Sequence, residues 1–167
     1  NPSVSTLVGL MRPSHRGRIT LRSPDPLAPP VIAHRQLDSE LDIEQIVEGI
    51  VIARDILRQS AIAPHVKSEL RPGAALAGTE QLRDYVKMAS IPLYHPVGTA
   101  RIGRRDDPAA VVDQDLRVIG VEGLWVADAS VMPSLPAGNT NATAIMIGDK
   151  GADHVLKTLR RNMKPPG

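Results

Sequence analysis

Fifteen of the 167 residues are proline, about 9% against a usual ~5%, and no other feature constrains the fold as strongly. Each proline fixes φ and removes a backbone donor, so the chain must be rich in turns and loops. Ser23-Pro24-Asp25-Pro26 forces a turn, and Pro29-Pro30 keeps the chain extended until Val31-Ile32. Just ahead of that turn, Arg18-Ile19-Thr20-Leu21-Arg22 alternates with period two and predicts a half-buried strand. The charges at Arg12, Arg16, Arg18 and Arg22, with His15, read as a solvated strand edge that blocks edge-to-edge pairing rather than as a phosphate site.

Helices occupy what the prolines leave. Residues 38–60 predict an amphipathic helix with Ile43, Ile46, Val47, Ile50, Ala53 and Leu57 on one face and a weak capping-box pattern from Ser39 to Asp42. Thr79 is placed to cap a second helix, with Leu82, Val86 and Ala89 on its apolar face and Pro92 as its stop. A third runs from about Asn141 to Arg160, with Ile145, Ala152, Val155, Leu156 and Leu159 as its buried candidates. Lys157, Arg160, Arg161 and Lys164 gather at its end, where cations complement the helix dipole. Gly148 and Gly151 weaken that helix by about 1 kcal/mol each relative to Ala, so its stability must come from packing. Leu116–Ile119 and Leu124–Ala127, joined across Gly120-Val121-Glu122-Gly123, predict a pair of short strands.

Composition removes whole classes of function. Hydrophobic residues make up 42%, enough for a core that buries roughly 70% of the unfolded surface, so disorder is excluded. Twenty Lys+Arg against 18 Asp+Glu leave +2, too near balance for a nucleic-acid binder defined by charge. Tyr85, Tyr94 and Trp125 are the only aromatics, which leaves little for base stacking. The absence of Cys excludes disulfides, thiolate nucleophiles, iron–sulfur clusters and Cys-ligated zinc. Ile43–Leu57, the longest apolar-leaning stretch, is interrupted by Glu44, Glu48, Arg54 and Asp55 and cannot span a bilayer. The first residue is Asn1, and no basic-then-apolar leader follows it; a processed or excised chain in the cytoplasm is the expectation.

Familiar cofactor motifs are missing. None of the 13 glycines forms Gly-x-Gly, so there is neither a dinucleotide fingerprint nor a Walker loop. No Gly-x-Ser-x-Gly or His-Glu-x-x-His occurs, Asp113-Gln-Asp115 lacks the rest of a calcium loop, and no metal site is expected. Ser134, His95 and Asp128 form a catalytic set on paper only, since nothing in their spacing prefers it.

Two dense turn segments remain. In Tyr94-His95-Pro96-Val97-Gly98-Thr99-Ala100-Arg101-Ile102-Gly103, a His before Pro is held extended and Gly98 permits a sharp turn. Such an imidazole suits a general base, or it is a structural loop histidine. The second segment runs from Asp128 through a Pro-punctuated loop into a helix near Asn139–Asn141. Unpaired N–H groups and a positive dipole end collect at that helix start and suit an anion or a group that becomes anionic, or Asn139 or Thr140 is an ordinary N-cap.

Together these segments resemble the C-terminal part of the glucose–methanol–choline (GMC) family of FAD-dependent oxidoreductases. The resemblance rests on YHPVGTARIG (94–103) and VVDQDLRVIGVEGLWVADASVMPSLPAGNTNATAIMIGDKGAD (111–153), and more loosely on RGRITLRSPDPLAPPVI (16–32). It implies an α+β fold, an antiparallel sheet with helices packed on one face, and a C-terminal segment returning to an FAD-binding domain absent from this chain. Residues 1–110 then belong to the substrate domain and 111–167 to the segment with the flavin-facing loop and helix. By resemblance, His95 is the catalytic base and Asn139 the second active-site residue, hydrogen-bonding the substrate oxygen. Asp128 and Ala129 match a segment contacting FAD, and Thr140 and Asn141 match the helix start facing the flavin's pyrimidine end. The implied partners are a small-molecule alcohol and the N-terminal FAD-binding domain of the same parent chain, in a dehydrogenase or oxidase inactive as this piece alone. The contrasting expectation is a non-catalytic binding or structural module that kept the sheet for interaction. Ala100 stands where many relatives have Cys, and Thr143 where Pro is common.

Overall fold

The computed structural model describes residues 3–162. It contains three helices, a two-stranded antiparallel ribbon and long loops, a mixed α+β chain. Two compact units divide it, the first ending at Leu93 and the second beginning at Tyr94.

In the first unit the helical periodicity of residues 43–57 yields α1 (Glu40–Leu57). Ile43 and Val47 lock against Leu82 and Val86 of α2 (Thr79–Ala89), with Leu37, Ile46, Ile50 and Leu76 packed around them. Each such side chain contributes roughly 1.5–3 kcal/mol when fully buried. The start of α1 departs from expectation: the Ser39 hydroxyl caps nothing in the helix. Asp42 instead reaches out of the helix to the segment before the ribbon, accepting from the Ser14 N–H at 2.9 Å and from the His15 ring at 2.9 Å. A fork of Arg54 on Glu69, with a further bond from Arg54 to the Gly73 carbonyl, ties the loop after α1 back to the helix. The N-cap of α2 is Gly78 rather than Thr79, and Gln81 Oε1 accepts its N–H at 3.0 Å. Ala89 is exposed, so the buried face of α2 is narrower than its apolar pattern.

The alternation at 18–22 does form a strand, β1 (Arg18–Thr20), paired antiparallel with β2 (Val31–Ala33) in the register Ile19↔Ile32. All six strand residues are exposed, which corrects the expected half-burial. Period two identified the extended backbone, but no apolar layer closes over Ile19 and Ile32.

The second unit centres on Val112, Leu116 and Val131, with Ile102, Val118, Trp125, Val126 and Ile147 packed on them. The two strands expected at 116–119 and 124–127 shrink to a single antiparallel bridge, Arg117↔Trp125. Bonds from Val118 N–H to Leu124 O (3.0 Å) and from Val126 N–H to Leu116 O (3.1 Å) flank it. Leu116 takes φ +62°, a left-handed conformation that interrupts the extended run and explains why no longer ladder forms.

Helix α3 (Asn141–Asn162) lies where the sequence places it, but it turns a different face inward. Ile145 is 65% exposed, Leu156 and Leu159 are each 49% exposed, and Ala152 is exposed as well; of the buried candidates only Val155 is partly covered. The covered positions are Thr143, Ala144, Ile147, Gly148, Gly151, His154, Val155 and Thr158. At 151 only glycine fits, because the helix there comes very close to the loop below it: a Cβ on Gly151 would sit 2.5 Å from the Ala127 Cβ. Lys164, grouped with the basic helix end, lies outside the described residues.

This contact reverses a propensity argument. Gly→Ala inside a helix ordinarily stabilises by up to about 1 kcal/mol, and at Gly148, where an added Cβ meets nothing within 4 Å, that gain is expected. At Gly151 the opposing Cβ is fixed to its backbone and cannot rotate away, and forced overpacking costs about 1–3 kcal/mol. Thermal melts followed by Trp125 fluorescence should therefore move up for Gly148→Ala and down for Gly151→Ala. Equal shifts would mean that close approach does not govern this helix.

Candidate active site

The two turn segments singled out in the sequence come together within the second unit. Ala100 N–H donates to Ser130 O at 3.0 Å and Ile102 N–H to Val131 O at 2.8 Å, so the stretch after His95 runs bonded along the short 3-10 turn Ala129–Val131. Gly98 takes φ +86°, and a Cβ there would stand 3.2 Å from the Met132 carbonyl oxygen. The turn thus needs glycine for its conformation and for the close approach. Tyr94, immediately before the histidine, also takes a left-handed φ of +60° and leaves its side chain 81% exposed.

His95 is half-buried, and its Nδ1 lies 2.9 Å from the hydroxyl of Thr140. Thr140 is 7% exposed and immediately precedes α3. Its hydroxyl is engaged by the imidazole, whereas its carbonyl accepts the first helical N–H, that of Ala144, at 2.9 Å. Among the described residues the N–H groups of Asn141, Ala142 and Thr143 have no carbonyl acceptor, as the geometry of a helix start requires. Asn139, Asn141 and Ala142 are exposed beside them. An imidazole, a carboxamide and a set of open N–H donors therefore border one helix terminus.

Asp128 is exposed and serves locally: its Oδ1 accepts the Ser130 N–H at 2.7 Å and caps the 129–131 turn. Ala129 is partly buried in that turn. The Ser134–His95–Asp128 set is not assembled, because the ring nitrogen such an Asp would hold is bonded to Thr140. Below the site, Asp113 braces the turn that carries Leu116. Burial raises its pKa, but the Arg105 guanidinium and the N–H groups of Arg117 and Asp115 outweigh that effect and leave it below the ordinary carboxylate value.

Sequence reasoning assigned Thr140 through its backbone and missed its side chain. A Thr ahead of a helix reads as a cap, and its partner lies 45 residues away in the chain, so no local spacing signals the pair.

The GMC oxidoreductase family profile matches residues 13–148. The oxygen-dependent choline dehydrogenase of Rhizobium rhizogenes (strain K84) is 42% identical over 161 residues, covering 95% of this chain and 29% of that protein. Among solved structures, the formate oxidase of Aspergillus oryzae RIB40 superposes with a TM-score of 0.83 at 32% identity, covering 93% of this chain and 27% of that one. A fungal aryl-alcohol oxidase gives a TM-score of 0.79 at 35% identity over 90% of this chain and 25% of that one. The chain thus spans less than a third of the length of these relatives.

Proposed function

The chain belongs to the GMC oxidoreductase family, and we propose that it is the catalytic C-terminal portion of a flavin-dependent enzyme that oxidises an alcohol CH–OH group. The observation that supports this most directly is the His95–Thr140 contact, which sets a half-buried imidazole beside a helix start with open N–H donors. FAD is the cofactor of the family. The residues present fit one edge of such a group: open N–H donors on Asn141, Ala142 and Thr143 suit an electron-rich carbonyl edge. They do not fit its diphosphate, since no Gly-x-Gly occurs in the 167 residues. We assign the phosphate cradle to an N-terminal domain of a longer protein.

When bound, the flavin supplies the hydride acceptor. In this reading His95 accepts the alcohol's hydroxyl proton, which builds charge on the oxygen and weakens the adjacent C–H bond. The Asn139 carboxamide donates to the same oxygen and orients the C–H bond. The N–H groups at the start of α3 oppose negative charge that grows during reaction, so they favour the transition state over the ground state. Asp128 caps the 129–131 turn, and with Ala129 it would contact the flavin when that group is bound. Residues 1–110 form part of the substrate domain and 111–167 return to the flavin domain, with 94–110 carrying His95 into the second compact unit. The exposed apolar side of α3, Ile145, Met146, Leu156 and Leu159, then packs against that domain, and the rest of the sheet and its covering helices come from the longer chain. No helix among the described residues is long and apolar enough to cross a membrane.

The test is the visible spectrum of the longer protein carrying this chain. Bound flavin that bleaches anaerobically on adding choline or a simple primary alcohol is expected, together with no flavin retained by the 167-residue chain alone after gel filtration. Flavin that none of these alcohols bleaches would overturn the alcohol-oxidising role.

A further inference from the structure

A neutral imidazole can act as a base only through the ring nitrogen that carries no proton, and which nitrogen that is depends on the hydrogen bond the other one makes. In His95 the Nδ1 atom is taken: it lies 2.9 Å from Thr140 Oγ1, a nearly buried hydroxyl fixed by the chain turning into α3. The base described above therefore has only Nε2 available, and Nε2 is bare only when Nδ1 holds the proton. We propose that Thr140 is a positioning residue whose hydroxyl accepts the His95 Nδ1–H, holding the ring in that tautomer with the Nε2 lone pair directed away from Thr140. This rests on the reading of His95 as base and adds a second task for Thr140, separate from the backbone donors of the helix start.

The role of His95 as base, rather than the 2.9 Å distance, selects the hydroxyl as acceptor over the alternative arrangement, in which it donates to a bare Nδ1 and leaves the proton on Nε2. The two arrangements have the same distance, but only the first leaves a basic nitrogen free for an incoming hydroxyl proton. It also keeps its hydrogen bond when the ring becomes doubly protonated, since Nδ1–H donates in both states. The base can thus take up a proton without rotating, and the reaction does not have to reorganise the site. Neither His95 nor Thr140 has another side-chain partner among the described residues, so this single bond sets the ring's orientation.

Thr140→Val tests the proposal, because it keeps the side-chain shape and deletes the hydroxyl, and Thr140→Ser restores the hydroxyl in a smaller side chain. In the longer protein carrying this chain, nitrogen NMR of the ¹⁵N-labelled imidazole at a pH where His95 is neutral should show a protonated Nδ1 and a bare Nε2, and Thr140→Val should shift the ring toward the opposite tautomer. In the FAD-loaded longer protein, Thr140→Val should lower kcat for alcohol oxidation roughly 10–100-fold, the range lost when the group orienting a histidine is removed from metal sites, with KM changed by less than about twofold. Thr140→Ser should recover most of that loss. A bare Nδ1 in the unaltered chain, wild-type kcat in Thr140→Val, or Thr140→Ser as impaired as Thr140→Val would each overturn the proposal. Failure of the base assignment is read separately: if His95→Ala leaves flavin reduction unchanged, the catalytic reading falls, while the imidazole spectrum still decides the hydrogen bond.

Discussion

His95→Ala in the FAD-loaded longer protein is expected to slow alcohol-dependent flavin reduction by about 10²–10⁴-fold, the usual contribution of a positioned general base. At 1.36 kcal/mol per tenfold, that is about 3–5 kcal/mol of transition-state stabilisation. A structural histidine would give a different pattern. Removing its hydrogen bond to Thr140 would cost on the order of 1 kcal/mol of folding stability, visible as a lowered melting temperature and only a small change in rate. Stopped-flow absorbance of flavin reduction, with flavin content and melting temperature measured on the same preparation, separates the two. A large drop in rate at unchanged flavin content supports the base. Asn139→Ala should cost less, because a carboxamide that orients the oxygen does not itself move a proton. A His95→Ala protein that reduces its flavin at the original rate would return His95 to the role of loop residue.

The elements of this chain that could be read from sequence are those whose buried face follows apolar periodicity. Ile43, Val47, Leu82 and Val86 lie on the inward faces that their spacing marks, although that spacing does not say that each helix is the other's apolar partner. Helix α3 was placed along the chain correctly, but its inward face was not. Hydrophobicity points to Ile145, Leu156 and Leu159, whereas the helix turns Ile147, Gly151 and Val155 inward, with Gly151 against Ala127. The apolar residues left outside make sense if their partner is a domain beyond these residues, as the proposed function requires. Leu116 cost the second unit its expected hairpin, since nothing about a leucine announces φ +62°. At the site, the density of turn residues and the resemblance carried by 94–103 and 111–153 pick out the segments of His95 and Thr140. Their hydrogen bond is a tertiary fact, produced by the pairing of residues 100–102 with 130–131, which no periodicity encodes.

Asp42→Ala is expected to destabilise the first unit by about 3 kcal/mol, with an effect that fades in acid. Asp42 is 1% exposed, and a carboxylate so buried survives only because donors surround it. Both oxygens accept the Ser14 N–H, at 2.9 and 3.1 Å; the Ser14 hydroxyl donates at 2.8 Å, the His15 N–H at 3.2 Å, and the His15 ring lies at 2.9 Å. Burial pushes the pKa up, but these bonds outweigh it and bring the carboxyl from 3.8 to about 2. A group depressed in the folded state adds stability that is complete above its unfolded pKa and is lost as pH falls through the folded one, here between about pH 4 and pH 2. At 1.36 kcal/mol per unit the ionised form contributes roughly 2 kcal/mol, and truncation costs more because it also removes the acceptor that holds the Ser14–His15 segment on α1. Asp113 is depressed in the same direction but lies in the second unit with Trp125, so fluorescence registers acid effects there. The first unit must be followed by hydrogen exchange of α1. Asp42→Asn should flatten the acid dependence of α1 protection and leave that of Trp125 in place. If α1 keeps the same acid sensitivity without the Asp42 carboxylate, another group tethers the Ser14–His15 segment, and the buried acid is a passenger of the fold rather than its clamp.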